Sequence, residues 1–339
     1  MRKSILTVMI PTYDRNEILL KNLSVLLPLI PLNVKCVILD NHSQVPVHQT
    51  ISPLLNQYPN IDIKVVRNNA NVGGNGNIMR CLEVCETDYV WILGDDDVVQ
   101  NNAFKLIFSE IEKYPDAIYF NFSTLGGVTR KSRIVSCGID DFMRSGIDDL
   151  GQIMFISSSI FSAKSLREHC DVGYHYAFTT LPHIVTLFSS LMSSESHVCV
   201  LTADSIVATS HKNTGEELMT SCHLSALGMP MLLSLPFNDV NRERLRCLII
   251  GQIYAWLTPR AVYFSLVHEA NDIKNRGRVN KIFSMINQNL YALTMNPSVR
   301  LSAVFYKILL FFPQLSIRLI RVVFNLFGKE IYRSNINRL

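Results

Sequence analysis

Charged residues are scarce in this chain of 339 residues. Asp, Glu, Lys and Arg make up 18% of the sequence and hydrophobic residues 48%, whereas soluble domains average about 25% charged residues. This balance excludes intrinsic disorder, which requires low hydrophobicity and high net charge. The 15 glycines and 13 prolines follow no fixed period, which excludes a collagen-like chain, and no internal repeat is visible. The sequence therefore predicts a globular protein that buries a sizeable core.

Long apolar runs and paired cysteines are also lacking. No stretch reaches the roughly 18 uninterrupted apolar residues of a membrane-spanning helix. The first run, Ser4 to Ile10, ends at Pro11 without a small-residue cleavage site, so we interpret it as a strand rather than a signal sequence. The eight cysteines include no Cys-x-x-Cys pair, which favours free thiols in a reducing compartment. We therefore expect a cytoplasmic protein.

The positive charge is concentrated at the end of the chain. The net charge of +4 is too small to indicate nucleic-acid binding, but residues 300–339 hold seven basic residues against one acidic residue. Within them, Gln314, Arg318, Arg321 and Asn325 recur at helical spacing among apolar residues. This predicts a helix with a narrow basic stripe and a broad apolar face, which suits an anionic membrane interface. The alternative is a terminal helix that packs on the protein body or in a homodimer.

Short apolar runs alternate with helical patterns over the first 125 residues. The strand-like runs are 5–10, 34–39, 61–66, 89–93 and 117–122. The helical stretches are 15–28, 47–58, 75–86 and 101–113. Such alternation predicts an α/β fold with βαβ units and a mostly parallel sheet covered by helices on both faces.

The remainder of the chain is less regular and then becomes helical. Further strands are predicted at 153–156, 198–201 and 206–208, and a helix at 176–192. From residue 216 onward the pattern is helical throughout. We therefore predict a domain boundary near residue 215.

Polar residues follow four of the predicted strands. These ends read Pro11-Thr12-Tyr13-Asp14, Asp40-Asn41-His42-Ser43, Arg67-Asn68-Asn69-Ala70-Asn71 and Gly94-Asp95-Asp96-Asp97. Ligands of parallel sheets bind beyond the carboxyl ends of the strands, so these four ends outline a predicted ligand site. Asp14, followed three residues later by Glu17, is also expected to cap the first helix.

The three adjacent aspartates, Asp95 to Asp97, repel one another unless a cation or solvent neutralises them. Oxygen ligands without Cys or His suit Mg²⁺ or Mn²⁺, which one or two carboxylates hold together with substrate phosphates. The sequence therefore predicts a divalent cation here. The alternative is a solvated turn before the helix that begins near Asn101.

A glycine-rich segment precedes the third helix, with Asn71, Gly73 and Asn77 in the pattern Asn-x-Gly-x-x-x-Asn. It is neither a P-loop nor a dinucleotide-binding fingerprint. Its glycines allow close backbone approach and its Asn side chains offer donors, so it can line a nucleotide. An ordinary loop and helix start explains it equally well.

The ordered set of these motifs resembles the family 2 glycosyltransferases of the GT-A fold over about the first 125 residues. The resemblance implies a nucleotide-diphospho-sugar donor, a Mg²⁺ or Mn²⁺ ion and inversion at the sugar carbon. It implies that donor-binding residues come from the strand ends and the glycine-rich segment. These expected donor-binding residues are Pro11, Thr12, Tyr13, Asp40, Asn71, Gly73, Asn77 and Asp95.

The acidic motif departs from the family pattern. In the family it often reads Leu-Asp-x-Asp-Asp, and here Gly94 occupies the place of the first acid. This makes Asp96 the leading metal ligand and Asp97 the next one. Asp97 is also expected to be a catalytic residue, and the role of Asp95 stays open.

Two segments of the middle region, Ser157-Ser158-Ser159-Ile160-Phe161 and Leu181-Pro182-His183, resemble, more faintly, the abequosyltransferase-like branch that builds O-antigen side branches. Most family 2 enzymes carry a Glu-Asp pair here, whose Asp is the general base, but residues 172–194 contain none. His183, in the segment Leu181-Pro182-His183, can substitute because an imidazole with a pKa near 6.5 suits base catalysis at neutral pH. The alternative is a histidine that packs in its helix.

His211 and Lys212 follow the last strand-like run, where GT-A enzymes often place a late metal or diphosphate ligand. The resemblance implies that His211 binds the metal and Lys212 the diphosphate. The alternative is an exposed loop pair.

Together these expectations describe a transferase for bacterial surface polysaccharide. Residues 1–125 would bind the nucleotide sugar and 126–215 the acceptor, completing a GT-A domain over 1–215. The helical region 216–339 would end in a membrane-associating segment at about 300–333, on the inner face of the cell membrane beside a lipid-linked glycan acceptor. Two alternatives stay open, namely a catalytically inactive sugar- or nucleotide-binding relative and a nucleotidyltransferase.

Overall fold

Two compact units divide the chain, residues 1–210 and 211–339. The computed structural model describes residues 4–125, 129–148, 150–208, 223–256 and 278–297, together with 300, 301 and 304. The boundary predicted near residue 215 lies outside the described residues and stays a prediction.

The described part of the first unit contains a nine-stranded sheet. Its strands are β1 (Leu6–Thr12), β2 (Val34–Asp40), β3 (Asp62–Arg67), β4 (Tyr89–Ile92), β5 (Val98–Val99), β6 (Ala117–Leu125), β7 (Ile134–Cys137), β8 (Ser159–Ser162) and β9 (Val198–Ala208). The strand order is β3-β2-β1-β4-β8-β6-β9-β5, and β7 pairs with β9. The pairs among β1 to β4 and the β6–β9 pair are parallel, whereas β8 runs antiparallel to β4 and β6. The predicted mostly parallel sheet is confirmed.

Helices connect and cover these strands. In the first unit they are α1 (Asn16–Leu26), α2 (Val47–Leu55), α3 (Gly74–Val84), α4 (Ala103–Lys113), α5 (Gly138–Asp141), α6 (Gly151–Met154), α7 (Ala163–Arg167), α8 (Cys170–His175) and α9 (Pro182–Ser193). The first four lie within about two residues of their predicted bounds at most ends, and α2 ends three residues early. The apolar faces of α1, α2 and α4 pack in one core with the sheet, and Leu19, Ile51 and Ile107 are among its buried residues.

Three predictions for the middle region need correction. Residues 153–156 do not form a strand, since α6 ends at Met154 and the strand β8 begins at Ser159. The runs 198–201 and 206–208 belong to one long strand, β9. The helix predicted from residue 176 begins only at Pro182, because a short 3-10 turn precedes it and proline favours the first helical position.

The central strand β4 holds the segment around Ser157 in place through its tryptophan. Its Trp91 is fully buried, packs edge-on against Phe104 with ring centroids 5.6 Å apart, and donates its indole N–H to the Ser157 carbonyl at 2.8 Å. A buried tryptophan needs such a partner for its polar edge. The fold thereby holds the segment before β8 next to the residues that follow β4.

The described part of the second unit is helical. It contains α10 (Met229–Met231), α11 (Asp239–Trp256) and α12 (Arg278–Leu293). Among the described residues, no helix combines the length and the apolar character needed to cross a membrane. The basic stripe predicted at 314–325 lies outside the described residues. The seven described cysteines are free thiols.

Candidate active site

The polar strand ends predicted from the sequence meet at one edge of the sheet. The register places Thr12 of β1 opposite Asp40 of β2, and Asp40 opposite Arg67 of β3. Strand β4 is the other parallel neighbour of β1, so the acidic loop after β4 adjoins the loop after β1. Tyr13, next along the chain, is 41% exposed at this edge.

Asp95 is a buried anchor of the acidic loop. Its carboxylate is 4% exposed, accepts a hydrogen bond from the Thr12 hydroxyl at 2.7 Å, and pairs with Arg15 Nη1 at 2.7 Å. Burial raises the pKa of Asp95, although Thr12 and Arg15 both act to lower it. Both oxygens therefore serve contacts within the protein.

Asp96 is the accessible member of the triplet. Its side chain is 43% exposed, and its Oδ2 pairs with Arg15 Nη2 at 2.6 Å. One guanidinium thus bridges two neighbouring carboxylates. No sequence pattern assigned a role to Arg15, although it is the basic residue that directly follows the first polar strand end.

Asp97 turns back toward the sheet. It is 8% exposed, and its Oδ2 accepts a hydrogen bond from the Ser157 hydroxyl at 2.6 Å. Ser157 Oγ in turn accepts the Gly94 N–H at 2.9 Å. Ser157 is a second residue that sequence reasoning left without a role, because its partner lies 60 positions away.

The acidic loop fits a divalent cation that a phosphate group helps to hold. No group of three or more His, Cys, Asp or Glu side chains within the described ranges is arranged to bind a metal by itself. Mg²⁺, however, is usually held by one or two carboxylates together with substrate phosphates. Asp96 offers an exposed carboxylate for this, and Asp97 lies beside it in the chain, whereas the oxygens of Asp95 are already engaged. His211 and Lys212 lie outside the described residues, and their roles stay predictions.

Asp40 braces the neighbouring loop from inside. It is 1% exposed and accepts hydrogen bonds from the Ser43 N–H at 2.8 Å, the Val47 N–H at 3.3 Å and Arg67 Nη1 at 2.6 Å. Burial alone would raise the pKa of Asp40, but the hydrogen bonds from these three residues outweigh it and lower the pKa. Direct contact of Asp40 with a donor stays a prediction. Because Asp40 is buried, its position favours an indirect role, in which it holds Arg67 in place.

Asparagine side chains hold the glycine-rich segment. Asn71 Oδ1 accepts from Asn41 Nδ2 and from the Gly73 N–H, both at 2.8 Å, and Gly73 has a φ of 79°, which glycine adopts at little cost. Asn77 is 2% exposed. Its Oδ1 accepts from Asn68 Nδ2 at 2.8 Å, and its Nδ2 donates to a carbonyl of β2 at 3.1 Å. These contacts shape the segment, and direct contact of Asn71, Gly73 or Asn77 with a nucleotide stays a prediction.

His183 lies in the first turn of α9 and is 3% exposed. Its Nε2 contacts the Met154 carbonyl at 3.2 Å, and its buried Nδ1 has no hydrogen-bond partner among the described residues. Burial lowers the pKa of His183 to about 4. The base role stays a prediction, and this environment favours the alternative of a packing histidine.

A mostly parallel sheet with an acidic loop after its central strand is typical of the GT-A class of fold, and solved structures support this fold. A mannosyltransferase from Pyrobaculum calidifontis, PcManGT, in complex with GDP-Man and Mn²⁺ has a TM-score of 0.52 at 13% identity, covering 97% of this chain and 89% of that one. TarS 1–349 of S. aureus in complex with UDP has a TM-score of 0.51 at 12% identity, covering 85% and 89%.

A family model and a curated relative match parts of the sequence. Residues 7–162, just under half of the chain, match the model of Glycosyl transferase family 2. The chain is also 27% identical over 197 residues to Abequosyltransferase RfbV of Salmonella typhimurium strain LT2, a match that covers 53% of this chain and 59% of the relative. The match thus spans less than two thirds of that relative. The resemblance to family 2 predicted from the sequence is confirmed over residues 7–162, and the predicted fold is confirmed.

Proposed function

We propose that this protein is a glycosyltransferase that moves a sugar from a nucleotide-diphospho-sugar to a hydroxyl of a glycan acceptor during O-antigen-type polysaccharide synthesis. The observation that carries the proposal is the acidic loop after β4, in which Asp96 presents the most exposed carboxylate of the three aspartates, beside Arg15. The match of residues 7–162 to family 2 and the similarity to an abequosyltransferase support the reaction type.

Donor binding is assigned to the edge formed by β1, β2 and β4. Asp96, with Asp97 beside it, would hold a Mg²⁺ or Mn²⁺ ion against the donor diphosphate. When bound, that ion would act as a Lewis acid that makes the nucleoside diphosphate a better leaving group. Thr12 and Arg15 keep the loop in position through Asp95.

The acceptor hydroxyl needs a base within hydrogen-bond reach. We keep His183 as the residue to test, because it is the titratable group of α9, while its burial favours a structural role. Direct displacement with inversion at the sugar carbon is the stereochemistry we infer from the family.

The acceptor is proposed to be lipid-linked and to lie at the inner face of the cell membrane. The basic residues after position 300 support attraction to an anionic surface. At the start of that region, Met295, Leu301 and Val304 are 77%, 69% and 44% exposed. These apolar side chains flank Arg300 and suit an interface.

Screening a panel of nucleotide sugars with Mn²⁺ tests this function directly. A true donor should raise the melting temperature, because a ligand that binds only the folded state stabilises it, and should be hydrolysed slowly without an acceptor. Asp96→Asn should lose the metal-dependent part of both signals. Binding without any hydrolysis or transfer would instead indicate an inactive relative, and release of pyrophosphate from a nucleoside triphosphate would indicate a nucleotidyltransferase.

A further inference from the structure

Arg15 joins two loops of the site. It lies between β1 and α1, and its guanidinium reaches Asp95 Oδ1 at 2.7 Å and Asp96 Oδ2 at 2.6 Å in the loop after β4. The Arg15 side chain is 41% exposed. Its guanidinium therefore contacts the acidic loop while part of the side chain is open to solvent.

The two ion pairs of Arg15 differ in their surroundings. Asp95 is buried, and its second oxygen is fixed by Thr12, so this pair is an anchor that is costly to break. Asp96 is 43% exposed, and an ion pair between two exposed side chains contributes only about 0–1 kcal/mol. The Asp96 pair is therefore the one that can be exchanged for other partners.

A divalent cation at Asp96 would compete for the same carboxylate. The guanidinium and the cation are both positive, so they cannot share it without repulsion. A displaced guanidinium edge can pair with another anion, and the fork of arginine N–H groups matches phosphate oxygens closely. The diphosphate that arrives with the cation supplies those oxygens.

We propose that Arg15 is an exchangeable counter-ion of the donor site. Before the donor binds, Arg15 neutralises Asp96; when the cation takes Asp96, Arg15 keeps its contact with Asp95 and turns its other edge to the donor diphosphate. This inference rests on the proposed metal-assisted function and adds a coupling to it. Arg15 makes cation binding and diphosphate binding depend on each other, and such coupling acts equally in both directions.

The test measures Mn²⁺ affinity of the full-length protein from the electron paramagnetic resonance signal of free Mn²⁺. The variants are Arg15→Gln, Arg15→Lys and, as a matched control, Arg144→Gln, which removes an exposed ion pair with Asp141. Without phosphate, Arg15→Gln should bind Mn²⁺ up to about fivefold more tightly than the wild type, which corresponds to about 1 kcal/mol of lost competition. Arg15→Lys should fall between them, because lysine keeps the charge but lacks the rigid fork with which the guanidinium pairs with both carboxylates.

Inorganic pyrophosphate then probes the coupling, after subtraction of the Mn²⁺–pyrophosphate complex that forms in buffer alone. Pyrophosphate should tighten Mn²⁺ binding more in the wild type than in Arg15→Gln. A second arm needs no metal. Asp96→Asn should bind pyrophosphate more tightly than the wild type, because the variant removes the carboxylate charge that competes with phosphate for Arg15 Nη2.

The outcomes separate this inference from the proposed function. If the wild type binds Mn²⁺ and Arg15→Gln binds it no more tightly and with the same pyrophosphate effect, Arg15 is only structural and the metal-assisted function stands. If the wild type binds no Mn²⁺ even with pyrophosphate, both proposals fail. If Arg15→Gln does not fold, the Arg15→Lys and Asp96→Asn measurements decide, and wild-type values in both would overturn the inference.

Discussion

Asp97 occupies the space that a side chain at position 94 would fill. A Cβ built on Gly94 would overlap Asp97 Oδ2 and would lie 3.2 Å from Asp97 Cγ. Gly94 stands where the family motif often has an acid, and the Asp97 carboxylate lies in the space that this side chain would occupy. Consequently the three adjacent aspartates have three environments: Asp95 anchors Arg15, Asp96 faces outward, and Asp97 holds Ser157.

Gly94→Ala should destabilise the fold by about 1–2 kcal/mol, because the added methyl group displaces Asp97 from its hydrogen bond with Ser157. Urea unfolding measures the change. Gly74→Ala is a suitable control, since a Cβ there meets nothing within 4 Å. Equal stability of Gly94→Ala and Gly74→Ala would contradict the tight approach of Asp97 to Gly94.

Asp96→Asn should reduce metal-dependent sugar transfer at least about a hundredfold while leaving the melting temperature nearly unchanged. An exposed carboxylate contributes little to stability, whereas losing a bound cation removes several kcal/mol of charge stabilisation in the transition state. Asp116→Asn, at another exposed aspartate, controls for loss of surface charge. Full activity of Asp96→Asn, or of the wild type in EDTA, would remove the metal from the mechanism.

Asp40 should make stability depend on pH at the acid end. Its folded-state pKa is lowered, so the unfolded state takes up the proton first, at a pKa of about 3.9. The stabilisation is therefore complete above that pH and is lost as the pH falls through the folded-state pKa. Asp40→Asn should cost about 2–3 kcal/mol at pH 7 through its contacts with Arg67, Ser43 and Val47.

Urea unfolding between pH 7 and 3 measures this dependence. The difference between the wild type and Asp40→Asn should be constant down to about pH 4 and should shrink below it. A difference that stays constant to pH 3, or one that grows, would contradict the assigned role of Asp40.

The sequence predicted elements whose cause is local, and missed contacts whose cause is distant. In the sequence, the buried strand β1 is visible as an apolar run, and polar residues mark the carboxyl ends of β1 to β4. Asp14 was expected to cap α1, but this prediction is wrong. Asp14 has a φ of 51°, and its carboxylate instead accepts the Gln44 N–H at 2.6 Å. The bridge from Arg15 to the acidic loop joins positions 81 residues apart, and no local pattern encodes which strand lies beside β1.

His183, in the first turn of α9, has two candidate roles, general base or packing residue, and a substitution distinguishes them. A general base predicts a loss of about 10²- to 10⁴-fold in kcat for His183→Ala at nearly constant donor affinity. A buried packing residue predicts a loss of roughly 2–4 kcal/mol in stability, with the rate of the folded enzyme nearly unchanged. We expect the second result, because the imidazole is 3% exposed and contacts the Met154 carbonyl.

The pH dependence of stability gives His183 an independent readout. The folded imidazole has a pKa of about 4, whereas the unfolded one takes up a proton near pH 6.5. Between these values the unfolded state binds more protons, so stability falls as the pH falls from about 6.5 to 4. His183→Gln should be less sensitive across this window, and unchanged sensitivity would mean that His183 is not buried in its neutral form.

The end of the chain should bind anionic membranes without crossing them. Each basic residue near such a surface contributes about 1 kcal/mol, and buried apolar side chains add to it. Replacing Arg318 and Arg321 with Gln should therefore weaken binding to vesicles with anionic lipid about tenfold or more, and salt should weaken the wild type further. Truncation after Asn296 should abolish vesicle binding while keeping donor binding, and Arg144→Gln should behave as wild type. Failure of the full-length protein to sediment with anionic vesicles at low salt would contradict membrane binding. The basic stripe would then pack against the protein body or a second copy, and analytical ultracentrifugation should show a concentration-dependent dimer in the second case.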